Sequence, residues 1–124
     1  MLGIRLWHDA ANVVVVNNTV FNTYTGLVVG GDGGYISVAP NDNTRVSNNI
    51  FYDNVQYGIQ ETGSTGLNNK YTNNLIFKNG SYATLLNNSL VATATVAADP
   101  AFTNYLRTGG GDYHPSASSP AVHA

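Results

Sequence analysis

A chain of 124 residues with only 10% charged side chains and a formal net charge of -2 has room for one domain, near the size at which a single core buries about two-thirds of the surface its unfolded chain exposes. Its five Lys and Arg residues form no basic cluster, which excludes a binder of nucleic-acid phosphates. No apolar run approaches the roughly 20 residues of a membrane-spanning helix, and the absence of Cys excludes disulfides and thiolate metal sites. Seventeen Asn and thirteen Gly place the polarity in turn-formers rather than on charged helix faces, so the chain is expected to be all-β.

From the N-terminus, Met1-Leu2-Gly3-Ile4-Arg5-Leu6-Trp7 lacks the charged start, apolar run and small-residue cleavage site of a signal peptide and reads as the edge of a strand. Val13-Val14-Val15-Val16 is β-branched throughout and too short for a helix, and reads as a buried strand ending at Asn17-Asn18. Thr44-Arg45-Val46-Ser47 and Lys70-Tyr71-Thr72 hold the same place before two further Asn pairs. A phrase then returns: Asn18-Thr19-Val20-Phe21, Asn48-Asn49-Ile50-Phe51 and Asn74-Leu75-Ile76-Phe77, with Phe to Phe spacings of 30 and 26 residues. A second strand follows each phrase, at Gly26–Val29, Gly58–Glu61 and Ala83–Leu86. Gly3–Leu6 fits as the first of that series, so that the starts lie 23, 32 and 25 residues apart.

Short strands, Asn and Gly corners and a period in this range are the signature of a solenoid in which one repeat is one turn. The expected fold is a short right-handed parallel β-helix of about three to four coils over residues 1–102, followed by an irregular C-terminal capping tail over residues 103–124. Parallel strands stacked about 4.8 Å apart put like residues in columns. Val20, Ile50 and Ile76 are expected to form an apolar column, with the Phe residues in a neighbouring one. Asn18, Asn48 and Asn74 are expected to form a polar column, because Asn tolerates a left-handed corner and its amide can bond to those above and below. Val91–Val96 alternates as a last strand, stopped by Asp99-Pro100.

The coil pattern resembles the right-handed parallel β-helix repeat proteins of the pectate-lyase-like superfamily. The closing Asp99-Pro100-Ala101-Phe102, Gly111-Asp112-Tyr113-His114 and Ser118-Ser119-Pro120-Ala121-Val122-His123-Ala124 look like the end signature of secreted bacterial members. His114 stands where that signature has an apolar residue and His123 where it has Asp. Active members are mostly polysaccharide lyases, glycoside hydrolases or epimerases with seven or more coils. The resemblance therefore implies the C-terminal piece of a longer secreted or cell-surface protein.

The candidate catalytic group is Arg5, His8, Asp9 and Asp32. With Gly3 stacked on Gly26, Arg5 lies over Val28 and Asp9 over Asp32, beside His8. A lyase acting on a uronic acid neutralises the carboxylate, often with calcium or Arg, and removes the neighbouring proton with a base such as His, Lys or Arg. Two Asp residues are a thin calcium site where six to eight oxygens are wanted, so no metal site is assigned and calcium is the one cofactor considered. Gly30–Ile36 departs from the calcium-binding nonapeptide, with Tyr35 at the ligand Asp position. Trp7, Tyr35, Tyr57 and Tyr82 are the candidate sugar-binding rings, with Tyr24, Tyr52 and Tyr71 elsewhere on the coils. Asp53 and Glu61 are a further carboxylate pair to test against glycosidase spacing. His114 and His123 lack a third ligand in sequence. Three functions stay open: a β-helix module contacting polysaccharide without catalysis of its own, a lyase or hydrolase fragment, and a structural or assembly unit. The apolar N-terminal edge, Leu2, Ile4, Leu6 and Val13–Val16, is expected to pair two copies as a homodimer.

Overall fold

The computed structural model of the chain describes residues 1–31 and 39–122. It is the expected right-handed parallel β-helix. The first coil holds β1 (Ile4–Leu6), β2 (Val14–Val16) and β3 (Thr19–Phe21); the second, β4 (Thr25–Gly30), β5 (Arg45–Ser47) and β6 (Ile50–Tyr52); the third, β7 (Tyr57–Thr62), β8 (Lys70–Thr72) and β9 (Leu75–Phe77). β10 (Tyr82–Leu85) opens a partial fourth turn. Three parallel sheets result, ordered β1-β4-β7-β10, β2-β5-β8 and β3-β6-β9. Among the described residues, no helix is long and apolar enough to cross a membrane.

The Gly spacing sets the first sheet as expected, with Arg5 paired to Val28 and Val28 to Gln60. Gly26 is needed there for space. A Cβ on it would stand 2.6 Å from the Gly58 carbonyl and 2.7 Å from the Phe51 ring, closer than packed atoms allow. Inward columns run Ile4, Leu27, Ile59 and Leu6, Val29, Glu61 from this sheet, and Val15, Val46, Tyr71 from the second.

The third sheet corrects the expected columns by one residue in the middle coil. Its central column is Val20, Phe51, Ile76, and its outer columns are Thr19, Ile50, Leu75 and Phe21, Tyr52, Phe77. Phe51 therefore faces the core while Phe21 and Phe77 stand outside. Aligning the phrases on Phe misplaced Ile50, and it also paired the wrong asparagines. Asn17, Asn48 and Asn73 take the left-handed corner, at φ of 58°, 56° and 53°. Asn18, Asn49 and Asn74 form the hydrogen-bonded ladder, with Asn18 Nδ2 3.0 Å from Asn49 Oδ1 and Asn49 Nδ2 2.9 Å from Asn74 Oδ1. Corner and ladder are two adjacent jobs, which is why the Asn comes in pairs. A second such corner has Asn22, Asp53 and Lys78 left-handed and Thr23, Asn54 and Asn79 in the ladder.

Two further expectations change. Of the Val13–Val16 run only Val15 is fully buried, whereas Val14 and Val16 point outward and are exposed, as alternation on a one-sided sheet requires. Residues 91–96 form no strand. They make two isolated parallel bridges, Thr93 to Thr72 and Val96 to Leu75, that cover the edges of β8 and β9.

After Pro100 the chain turns back along the side of the coils. β11 (Phe102–Asn104) and β12 (Asp112–Pro115) form an antiparallel pair, followed by a 3-10 turn at Pro120–Val122. Their rings lie on the outer face of the third sheet. Tyr113 stacks on Phe21 at 4.4 Å, and Tyr105 meets Tyr52 edge to face at 4.8 Å. Asn22 and Arg107 exchange two hydrogen bonds, each 2.8 Å, which tie the strap back to the first coil.

Candidate functional site

The described part of the candidate catalytic group lies where the chain leaves β1. Successive residues on one strand face alternate, so Arg5 and Trp7 share the outer side, and the guanidinium carbon sits 3.4 Å from the Trp7 ring centroid. This is a cation–π contact that covers one face of the cation. Gly31, at φ 92°, gives the guanidinium room, since a Cβ there would lie 2.9 Å from Arg5 Nη2. The Trp7 and His8 rings are tilted by 56° at 5.0 Å. His8 and Asp9 both take left-handed backbone, at φ 28° and 47°. Asp9 Oδ1 accepts the Ala39 N–H at 3.0 Å, which holds Ala39 to this corner. Asp32 and Tyr35 lie outside the described residues, as do the rest of the Gly33–Ile36 segment and His123. Arg5, Trp7, His8 and Asp9 are thus brought together on one corner, with Asp9 committed to a backbone bond.

The expected aromatic platform divides in two. Tyr57 and Tyr82 pair at the entry of β7 and β10 and stack at 6.2 Å with 15° between the rings. Tyr82 is 66% exposed, and Tyr24 is exposed one residue before the same column in the second coil. Trp7 lies at the exit end of that sheet, about 16 Å away at 3.3 Å per residue, and belongs to the Arg5 corner. Tyr52 and Tyr71 are buried and belong to the strap contact and the core.

Asp53 and Glu61 serve separate networks. Glu61 points into the core, where the column above it carries Leu6 and Val29. Its Oε1 accepts the Tyr71 hydroxyl at 2.6 Å and Asn69 Nδ2 at 2.8 Å. Oε2 accepts the Asn87 N–H at 2.9 Å and the Thr65 hydroxyl at 3.3 Å. Four donors thus compensate a carboxylate that is only 2% exposed. Asp53 sits at an outer corner, accepting the Tyr105 hydroxyl at 2.8 Å, with Lys78 and Arg107 both 3.7 Å away. Neither network was legible in sequence beyond one signal, a Glu at the position where Val29 and Leu6 predict an aliphatic residue.

Burial, and then the bond to Glu61, raises the Tyr71 hydroxyl well above the ordinary tyrosine range, and burial followed by Asp53 does the same for Tyr105. Both phenols stay neutral in the folded chain while those of the unfolded chain ionise near pH 10. The stability they contribute is present below that pH and lost as the pH rises above it, because the unfolded state then binds fewer protons. The urea midpoint is expected to fall between about pH 9 and pH 11, and to fall less steeply in Tyr71→Phe. An equal slope in both proteins would remove Tyr71 from this account.

Of the seven acidic residues, the six that are described each accept a hydrogen bond that holds a corner, a ladder or the tail. Besides Asp9, Asp53 and Glu61, Asp42 takes both donors of Asn68, Asp99 the Ala101 N–H, and Asp112 the His114 N–H. Those bonds lower the Asp42 carboxyl below its usual range through Asn68, and the Asp112 carboxyl through His114. Among the described residues, no three His, Cys, Asp or Glu side chains converge as a metal site.

The model of a right-handed β-helix region matches residues 1–96. No curated protein and no solved structure matches the chain. The match spans every coil, from β1 to the bridges that close the stack, and the chain belongs to the right-handed β-helix family.

Proposed function

We propose that the chain is a β-helix module of a secreted or cell-surface protein of the pectate-lyase-like kind, contacting polysaccharide without catalysis of its own. The observation that carries this reading is the Tyr57–Tyr82 stack, whose outer ring is 66% exposed although a neighbouring ring is available to bury it. Aromatic faces with a polar hydroxyl suit sugar rings, which present C–H faces and hydroxyl edges. The engaged carboxylates favour binding over hydrolysis, because a glycosidase needs one acid and one base free to face the bond it cleaves. The closing motifs of the tail support placement outside the cell.

The Arg5, His8 and Asp9 corner supports a second reading, a lyase fragment acting on acidic polysaccharide. One titration separates the two. Neutral and acidic polysaccharides are added to the chain with calcium and then with chelator, following tyrosine and tryptophan fluorescence together with the ultraviolet absorbance of unsaturated uronate. Binding without product is expected, weakened about five- to tenfold in Tyr82→Ala, the equivalent of one aromatic contact. Product that disappears in Arg5→Ala would establish the lyase reading instead, and absence of binding to every polymer would leave an assembly unit.

A further inference from the structure

The paired asparagines before the third sheet divide between inside and outside. Asn49 and Asn74 use both ends of their amides within the stack, on each other and on the Val15 and Val46 carbonyls. Asn48 and Asn73, one residue earlier, take the left-handed corner and are exposed. Their coils are joined at that point by backbone, the Asn48 N–H donating to the Asn73 carbonyl at 3.1 Å, while neither side-chain amide has a partner among the described residues. Glycine would meet the demand of a left-handed corner. The two amides are an addition that the backbone does not require.

Both border a recess of about 100 Å³ where the strap meets the third sheet. Ile50 and Leu75, neighbours in the outward column of β6 and β9, and Pro115 and Ala121 of the strap supply its apolar surface. Asn17 and Ala94 take the same left-handed corner in the flanking turns but do not line it. The free amides of the second and third coils therefore stand beside the one stretch of corner that the strap walls off. The strap lies beyond residues 1–96, the stretch matched by the β-helix family, so this wall is particular to the chain.

Size and lining select the occupant. A cavity of about 150 Å³ takes up benzene, so the recess has room for a group about two-thirds that size. No charged residue lines it, which disfavours a carboxylate or an ammonium, because a partly desolvated ion needs a countercharge. A hydroxyl would engage the amides but leave the apolar surface against water. A methyl group alone would cover that surface and leave the amides unpaired. A small group that joins a donor, an acceptor and a methyl meets every part of the lining, and the acetamido group of an N-acetylated sugar is such a group.

We propose that the recess binds the acetamido group of an N-acetylated sugar within a polysaccharide. One corner amide donates to the acetamido carbonyl, the other accepts its N–H, and the methyl packs against Ile50, Leu75, Pro115 and Ala121. Selection of such a sugar rests on the polysaccharide contact proposed above and adds a second point to it. The recess belongs to the third sheet and the Tyr57–Tyr82 stack to the first, so the two are separable by substitution.

Saturation-transfer NMR of the full chain with the matching trisaccharides of N-acetylglucosamine and of glucose tests this. The acetylated sugar is expected to bind about tenfold more tightly, the equivalent of two modest hydrogen bonds, with the strongest saturation at its acetyl methyl and with shifts of the Asn48 and Asn73 side-chain amide signals. Asn48→Gly and Asn73→Gly keep the left-handed corner and are each expected to weaken the acetylated sugar about fivefold. Ala121→Leu fills the recess and is expected to abolish the preference, leaving the glucose trimer unaffected. Tyr82→Ala is expected to weaken both sugars together and to keep their ratio. Far-ultraviolet circular dichroism confirms that each variant is folded. Equal affinity for the two sugars overturns the acetamido site and leaves the polysaccharide reading standing. Binding of neither overturns the site, and the polysaccharide reading falls with it only if every polymer of the titration above also fails. Amide signals that do not move, or a preference that survives all three recess variants, overturns the site as well.

Discussion

Asn49→Ala is expected to destabilise the fold by about 3–5 kcal/mol, since each buried polar group left without a partner costs about 1–3 kcal/mol. The Asn49 side chain is 1% exposed. Its Oδ1 accepts both donors of Asn18, and its Nδ2 donates to Val15, Ser47 and Asn74. Alanine leaves the Asn18 N–H and the Val15 carbonyl facing a gap that no side chain of the coil can fill, and leaves Asn74 Oδ1 with only the backbone N–H of residue 49. Against a typical total of about 5–15 kcal/mol, the loss moves the urea midpoint far enough to leave the variant marginally folded. Asn18→Ala is the control. Asn18 is only half-buried, and its side chain makes two bonds, to Val16 and Asn49, so its loss is expected to cost about 1 kcal/mol. Equal midpoints for the two variants would mean that the ladder adds nothing beyond solvated amides.

The repeat was legible because backbone geometry constrains it. Gly3, Gly26 and Gly58 recur where one coil's backbone presses on the next, and their spacing alone aligned Arg5 with Val28. Asn recurs where the chain must turn left-handed, a demand that few other side chains meet at low cost. Phe carried no such constraint. Phe51 is core, Phe21 is covered by the strap and Phe77 stacks on Tyr52, and the shared letter concealed a shift of one residue. The strap itself was illegible, because the Asn22 and Arg107 bonds join residues 85 apart, and Phe102, Tyr105 and Tyr113 have no period that a pattern could detect. The Arg5–Trp7 contact follows from their alternation on one strand. Engagement of the carboxylates does not, since a hydrogen bond to a backbone N–H, such as Asp9 to Ala39, has no sequence signature.

Phe51→Ala and Ile50→Ala separate the two registers by measurement. Phe51 is fully buried, with Val20 above, Ile76 below and the Gly26 backbone against its ring. Removing it leaves a cavity inside the middle coil, where neighbours on both sides are held by their own strands and cannot close in. The expected loss is about 3–5 kcal/mol. Ile50 faces outward and is partly covered where Pro115 and Ala121 of the strap line the same recess. The strap can settle onto a smaller side chain, so a loss of about 1–2 kcal/mol is expected there, below the usual cost of a core truncation. In a stack where each coil touches only its neighbours, a defect at Phe51 also weakens the coupling between the first and third coils. Its urea transition should therefore broaden as well as move, whereas that of Ile50→Ala moves alone. The reverse order, with Ile50→Ala the more damaging, would place Ile50 in the core column and return the alignment to the one that Phe suggests.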